Sequence, residues 1–142
     1  MDDFRNQLAA VVDAMRAAGT LPAFLIIDLE GAGELKRIHG VESLDKFRDA
    51  TVNAVSAAAG GCDTFTYGDA RIVVILDAGF DRLKTFALID RLRRALPFLS
   101  QSFDCLLTPE FDVIEYDEEQ GVAGIITHIV RPRERPHGED VA

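Results

Sequence analysis

The sequence lacks the residues from which several common kinds of site are built. Only two of its 142 residues are cysteine, Cys62 and Cys105, and it has no Cys-x-x-Cys pair and no neighbouring pair of histidines. A structural zinc site therefore has no ligand set, and we expect both cysteines to be small core residues. A glycine-rich P-loop and a Gly-x-Ser-x-Gly nucleophile turn are also absent, so neither of those two kinds of catalytic or phosphate site is indicated.

Long apolar runs and basic charge are scarce as well. The first 20 residues begin with two acids and contain no continuous apolar stretch, so they fit neither a signal peptide nor a membrane span. We therefore expect a cytoplasmic protein without membrane insertion. The net charge is -9, whereas binding to nucleic-acid phosphates needs clustered Lys and Arg. We expect no nucleic-acid partner.

The remaining composition is that of one globular domain. Apolar residues make up 48% of the chain, and there is no repeat, linker or low-complexity tract. We expect a single domain over residues 1–132. The polar sequence RERPHGEDVA then predicts a disordered tail over residues 133–142.

The first half of the chain alternates between helical and strand patterns. Apolar spacing of three and four predicts a helix over 3–18, and the unbroken run AFLIIDL over 23–29 predicts a central strand that is buried on both faces. Helical spacing returns over 33–40, and a further helix runs from Ser43, its expected N-cap, to Ala58. The order is helix, strand, helix, helix.

The second half begins with a hairpin over residues 65–76. A third core helix is expected from an Asp81 cap to a stop at Pro97, with one stripe of core residues at Leu83, Phe86, Ile89, Leu92 and Leu96. Strands are expected over 103–107, 111–116 and 122–130, with a hairpin loop over 117–121. The predicted fold is an α/β (α+β) sandwich with a largely antiparallel central sheet and a C-terminal β-hairpin.

The core over residues 22–97 resembles the GGDEF domain of diguanylate cyclases, which join two GTP molecules into cyclic di-GMP. The segment DLEGAGELKRIHGVESLD aligns without a gap with the family's first strand and following motifs, and Asp28, Glu30, Gly40 and Asp45 fall on matching positions. TYGDARIVVIL lies over the hairpin that carries the GGDEF signature, with Gly68 in place. The resemblance implies a βααββαβ core.

The resemblance also implies where the family's metal and nucleotide site would lie. Asp28 matches the first metal ligand, but Ala70 occupies the position of the second. Asp69 comes one residue early, and because neighbouring strand positions point to opposite faces we expect it to aim away from the metal. Two metal ions on two carboxylates are needed to activate the 3'-hydroxyl of GTP, so one acid cannot replace two.

Other elements of the family pattern are substituted. Asp45 matches the acid that hydrogen-bonds the guanine edge in the family. Lys36 occupies the position of the Asn that acts with it, and Lys cannot supply a hydrogen-bond acceptor. The Phe-Lys pair is replaced by Ala32 and Gly33, and no arginine precedes the hairpin at the position of the family's inhibitory product-binding site. The family's late strand and basic helix have no recognisable counterpart after Pro97.

Less specific interpretations stay open at several of these residues. Asp28 alone also fits a solvent-facing acid at a strand end, and His39 and His128 fit a helix C-terminus and an exposed strand position better than catalytic bases. The acids over 112–119 lack the spacing of a calcium loop and fit a solvated hairpin.

The sequence therefore favours a catalytically inactive GGDEF-like domain that acts as a regulatory or protein-interaction module in bacterial signalling. No cofactor is expected unless a nucleotide brings Mg²⁺. One alternative is a GTP-binding domain or weak cyclase that uses Asp28 with Mg²⁺. Another is a structural dimerisation domain, with a homodimer formed through the N-terminal helix or the late hairpin edge. The nucleotide-pocket relic would comprise six residues: Asp28, Glu30, Lys36, Asp45, Gly68 and Asp69.

Overall fold

The computed structural model describes residues 2–68, 70–76, 81–103 and 108–131. Its elements are, in chain order, α1 (Asp2–Ala17), β1 (Ala23–Glu30), α2 (Ala32–His39), α3 (Val41–Ala58), β2 (Thr64–Tyr67), β3 (Arg71–Leu76), α4 (Arg82–Gln101), β4 (Thr108–Glu115) and α5 (Gly121–Val130). Cys105, most of the strand expected over 103–107 and the expected tail lie outside the described residues. No helix in the described ranges is both long and apolar enough to span a membrane.

The four strands form one antiparallel sheet in the order β2-β3-β1-β4. β1 pairs with β3 on one side and with β4 on the other, so the apolar run over 23–29 is an interior strand, as its sequence predicts. In the β1–β3 ladder Ile26 lies opposite Val73, and Asp28 lies opposite Arg71. This register places an acid and a base side by side at one end of the sheet.

Helices cover both faces of the sheet, because side chains along each interior strand alternate between the two faces. On one face, α1 and α5 pack against Phe24, Ile26, Val73 and Ile75. On the other face, α2, α3 and α4 cover a larger cluster to which β1 contributes Leu25, Ile27 and Leu29, and β3 contributes Ile72, Val74 and Leu76. The expected α/β sandwich with a largely antiparallel sheet is confirmed.

Helix α5 occupies the residues for which the sequence predicted the last strand, so the predicted C-terminal β-hairpin is wrong. Ile125, Ile126 and Ile129 are buried, a spacing that places them on one helical face. β1 already has a strand on each side, and these isoleucines instead cover the sheet face next to α1. The segment over 122–130 resembled a strand because a short run this rich in apolar residues cannot be told from a buried helix by periodicity alone.

Two helix ends also differ from the sequence-based predictions. α3 begins at Val41 with Gly40 as its N-cap, so Ser43 lies inside the first turn and is not the cap. α4 begins with the expected Asp81 cap, whose side chain accepts a hydrogen bond from the Lys84 amide. It continues past Pro97 to Gln101, because the buried side chains of Leu96 and Ser100 hold the last turn against the core.

The stripe predicted along α4 is only partly core. Ile89, Leu92 and Leu96 are buried, as expected, but Leu83 and Phe86 are exposed. Leu88, four residues before Leu92, is buried in their place. The register of this amphipathic helix was therefore assigned wrongly at its first two turns, because apolar residues there occupy both sides of the helix.

Candidate functional site

The end of β1 and the start of β3 carry an ion pair between Asp28 and Arg71. The Arg71 Nε lies 2.6 Å from Asp28 Oδ1, and its Nη2 lies 3.4 Å from Oδ2. Ile26 and Val73, two residues away on each strand, pack under α1 and α5, so strand alternation places both charged side chains on this same face. Only 12% of the Arg71 side chain and 17% of the Asp28 side chain are exposed.

The same guanidinium also binds the end of α5. Its Nη1 donates hydrogen bonds to the carbonyl oxygens of Ile129 and Arg131, the second at 2.6 Å. Carbonyls of the last helical turn have no partner within the helix, and a cation near them is favoured by the helix dipole. Arg71 therefore joins β1, β3 and α5 at one point.

The pairing determines what Asp28 can bind. A guanidinium is planar, permanently charged and geometrically suited to a carboxylate, so charge-assisted bonds of this kind are among the stronger ones in proteins. A divalent cation at the Asp28 carboxylate would stand a few ångströms from this fixed positive charge. Within the described ranges no group of three or more His, Cys, Asp or Glu side chains is arranged to hold a metal ion.

The residue before Arg71 also differs from the family pattern. Ala70 packs against the core on the α2–α4 face, opposite to the face of Asp28, and its carbonyl accepts a hydrogen bond from the Leu29 amide at 2.8 Å. Ala70 offers no side-chain ligand. In the alignment with GGDEF, Arg71 stands at the fourth position of the signature, where the family has Glu, so the charge there is reversed.

The other expected pocket residues lie on three different elements. Glu30 is the exposed last residue of β1, and Lys36 is exposed on α2. Asp45 lies on α3, where its carboxylate accepts a hydrogen bond from Arg48 at 2.7 Å. The two positions aligned with the guanine-reading pair are therefore a cation and an acid that already has a partner.

The β2–β3 turn supplies the remaining expected residues. Gly68 has a backbone φ of 64°, in the left-handed region that glycine adopts without strain. Asp69 lies outside the described residues. The turn is short, since Tyr67 pairs directly with Arg71 in the ladder. The conformation of Gly68 is accounted for by the turn itself.

Arg71 is the residue that sequence reasoning missed. Its signal was a single base at the head of the apolar run IVVIL, in the segment that aligns with the GGDEF signature. The pairing with Asp28 depends on the register of two strands that are 43 residues apart in sequence. Before the strand register was known, the only clue was that Arg71 carries a positive charge at the motif position where the family has Glu.

The comparisons with known proteins agree on the fold. No family model matches the sequence, and no significant match was found among curated proteins. Among solved structures, the GGDEF domain of FimX from Pseudomonas aeruginosa matches with a TM-score of 0.69 and 17% identity, covering 90% of this chain and 82% of that one. A sensory box/GGDEF family protein from Caulobacter crescentus matches with a TM-score of 0.64 and 20% identity, over 90% and 85% of the two chains.

A third match is the GGDEF domain of DgcB from Caulobacter crescentus, which was solved in complex with c-di-GMP. It has a TM-score of 0.63 and 11% identity, and the alignment covers 89% of this chain and 77% of that one. The chain has a βααββα order and an antiparallel sheet with β1 in its interior. Three GGDEF structures match it over most of its length. The protein has the fold of a GGDEF domain.

Proposed function

We propose that the protein is a catalytically inactive GGDEF-like domain, which acts as a regulatory or protein-interaction module in bacterial cyclic di-GMP-type signalling in the cytoplasm. The observation that carries this proposal is the Arg71–Asp28 ion pair. Arg71 stands where the family has an acid, and it neutralises the one metal-ligand position that the sequence keeps. Two-metal phosphoryl chemistry needs negative charge at this point.

The phosphate side of the pocket supports the same proposal. At the start of α2 the family's Phe-Lys pair is replaced by Ala32, which is buried, and by Gly33, which has no side chain. Neither residue can contact a triphosphate with a charged group. Lys36, one turn later, supplies a point charge but no acceptor for a purine edge.

A domain that has lost its catalytic activity but kept its fold can still bind other proteins through its surface. A regulatory or protein-binding role is therefore compatible with an inactive site. The three structural neighbours come from bacterial proteins, and one was solved with c-di-GMP bound. Those features belong to the neighbours, and by analogy they support the signalling part of the proposal.

The direct test is a cyclase assay. Purified protein is incubated with GTP and Mn²⁺ or Mg²⁺ beside an active diguanylate cyclase, and the products are separated by liquid chromatography. We expect no cyclic di-GMP from this protein. Product that is lost in an Asp28→Ala variant would overturn the proposal and favour a weak cyclase that uses Asp28 with Mg²⁺.

A further inference from the structure

Helix α5 is built mostly from residues that do not favour a helix. Of its 10 residues two are glycine, and most of the others are β-branched: Val122, Ile125, Ile126, Thr127, Ile129 and Val130. Glycine and β-branched residues have low helix propensity, and β-branched residues favour strands. Helices shorter than about 12 to 15 residues are marginal in isolation even when their composition is favourable. α5 is therefore helical because it is docked on the rest of the protein.

Two kinds of contact hold α5 in place. Its three buried isoleucines pack into the apolar cluster on the α1 side of the sheet. At its end, Arg71 Nη1 donates hydrogen bonds to the carbonyls of Ile129 and Arg131. Carbonyls of the last helical turn have no partner within the helix, so Arg71 acts as a C-terminal cap that is supplied by β3. The N-cap residue, Gln120, makes no side-chain hydrogen bond to the helix.

The Asp28 carboxylate orients the guanidinium that caps α5. A guanidinium is planar, and its donors have a fixed geometry. Nε and Nη2 of Arg71 face Asp28, at 2.6 Å and 3.4 Å from its two oxygens. Nη1 is thereby directed to the end of α5. We call Asp28, Arg71 and the carbonyls of Ile129 and Arg131 the α5 latch.

The strand pairing of the sheet does not run through α5. β1 pairs with β3 and β4, and β3 pairs with β2. The larger apolar cluster lies on the other face of the sheet, under α2, α3 and α4. α5 packs only into the smaller cluster, next to α1. Folded proteins open locally in such cooperative units, at a lower free energy than global unfolding requires.

We infer that α5 docks and undocks as a unit while the sheet stays folded, and that Asp28 controls this step through Arg71. Undocking exposes part of the apolar sheet face that α5 shares with α1. Coupling between two sites is reciprocal. A group that binds Asp28 in place of Arg71 therefore weakens the docking of α5, and a partner that binds the released segment frees Asp28. The position aligned with the family's first metal ligand thus controls a helix in this chain.

The test is amide hydrogen exchange followed by NMR, without urea and at urea concentrations below the unfolding transition. In the wild type, the amides of residues 125–130 should have protection factors at least tenfold lower than those of residues 25–27 in β1. Their exchange should also depend less on urea, because undocking exposes less surface than global unfolding. Equal protection and equal urea dependence in the two segments would show that α5 opens only with the whole domain, and would overturn the inference.

Variants of the α5 latch test the control by Asp28. Arg71→Gln should lower the protection of residues 125–130 at least tenfold, and Asp28→Asn should lower it at least threefold. The double variant should not fall below Arg71→Gln alone, because Asp28 acts on α5 only through Arg71. Unchanged protection of α5 in Asp28→Asn, or a further loss in the double variant, would overturn this control.

Two control variants separate the α5 latch from a general loss of stability. Asp45→Asn removes another carboxylate–arginine contact, which Asp45 makes with Arg48 at 2.7 Å, and it should leave the exchange of α5 unchanged. Ile89→Val removes a buried methylene on the other face of the sheet. It should lower the protection of residues 25–27 but not that of residues 125–130, because it weakens the docked and undocked forms equally.

Parallel losses in both segments of Ile89→Val would mean that the domain is one cooperative unit, and this result would contradict the inference. Loss of α5 protection in Asp45→Asn would contradict the specific role of the α5 latch. Each of these readouts is independent of cyclase activity, so the proposed function can fail while this inference holds.

Discussion

The Arg71 guanidinium lies opposite the Asp28 carboxylate in the β1–β3 ladder, with Nε and Oδ1 2.6 Å apart, and the same group binds two carbonyls at the end of α5. One side chain thus binds the Asp28 carboxylate and fastens a C-terminal helix to the sheet. The stability of this end of the sheet therefore depends on the residue on which the proposed inactivity rests.

Replacing Arg71 with Ala should destabilise the protein by roughly 3 kcal/mol, because a mostly buried carboxylate loses its partner. Two helix-end carbonyls lose their donor as well. Urea unfolding measures the change. Arg37→Ala is the matched control, since Arg37 also lies 2.6 Å from its carboxylate, that of Glu34, but both side chains are more than half exposed. Its loss should leave the free energy of unfolding nearly unchanged, because exposed ion pairs contribute little to stability, and equal losses would contradict the structural role assigned to Arg71.

Arg71→Glu should convert the site into a weak metal site. Two carboxylates opposite each other on adjacent strands repel without a cation and bind one with oxygen ligands. At ten times the dissociation constant, Mg²⁺ or Mn²⁺ would add about 1.4 kcal/mol of stability. Thermal melting with and without 10 mM metal should therefore shift by several degrees in this variant.

The wild type and Arg71→Gln should not respond to the metal, since neither has the second acid. Glutamine has nearly the shape of glutamate without its charge, which makes it the appropriate control. A comparable shift in Arg71→Gln would mean that Asp28 binds metal by itself, contrary to the argument that a second acid is needed.

Nucleotide binding at the remaining pocket residues should be weak. A nucleotide of millimolar affinity supplied at about 1 mM adds only about 0.4 kcal/mol. We expect GTP and ATP with Mg²⁺ to change the melting temperature by no more than a few degrees, and equally in wild type, Asp28→Ala and Asp45→Ala. A larger change confined to the wild type would support the GTP-binding alternative.

The sequence was informative where a single local pattern determined the structure. The apolar run of β1 could serve only as a doubly covered strand, and Asp81 ahead of α4 is a cap that needs no tertiary information. α5 was wrongly predicted as a strand because a short apolar run does not by its periodicity alone separate a strand from a buried helix, and the packing against α1 and the sheet decides between them. The prediction that α4 ends at Pro97 was wrong, because the packing of Leu96 and Ser100 outweighs the loss of one backbone hydrogen bond.

Less of the candidate site than of the fold could be predicted from the sequence. Asp28 was found because it is an acid at the end of a buried strand, in a motif that can be aligned. Its partner could not be assigned, since a two-residue change in the β1–β3 register would have placed a different side chain opposite it. Burial of Arg71 and its bonds to α5 depend further on a helix that was predicted as a strand.

Two glycines in helices should respond oppositely to the same substitution, and this tests how tightly α5 is packed. A Cβ at Gly33 in α2 would meet nothing within 4 Å, whereas a Cβ at Gly124 in α5 would lie 2.5 Å from the Cβ of Gln120. Gly33→Ala should stabilise the protein by about 0.5 kcal/mol through helix propensity. Gly124→Ala should destabilise it by about 1 to 2 kcal/mol, because a Cβ cannot rotate away and the first turn of α5 must move. Urea unfolding of both variants at low protein concentration measures the difference, and stabilisation by Gly124→Ala would show that this turn adjusts freely.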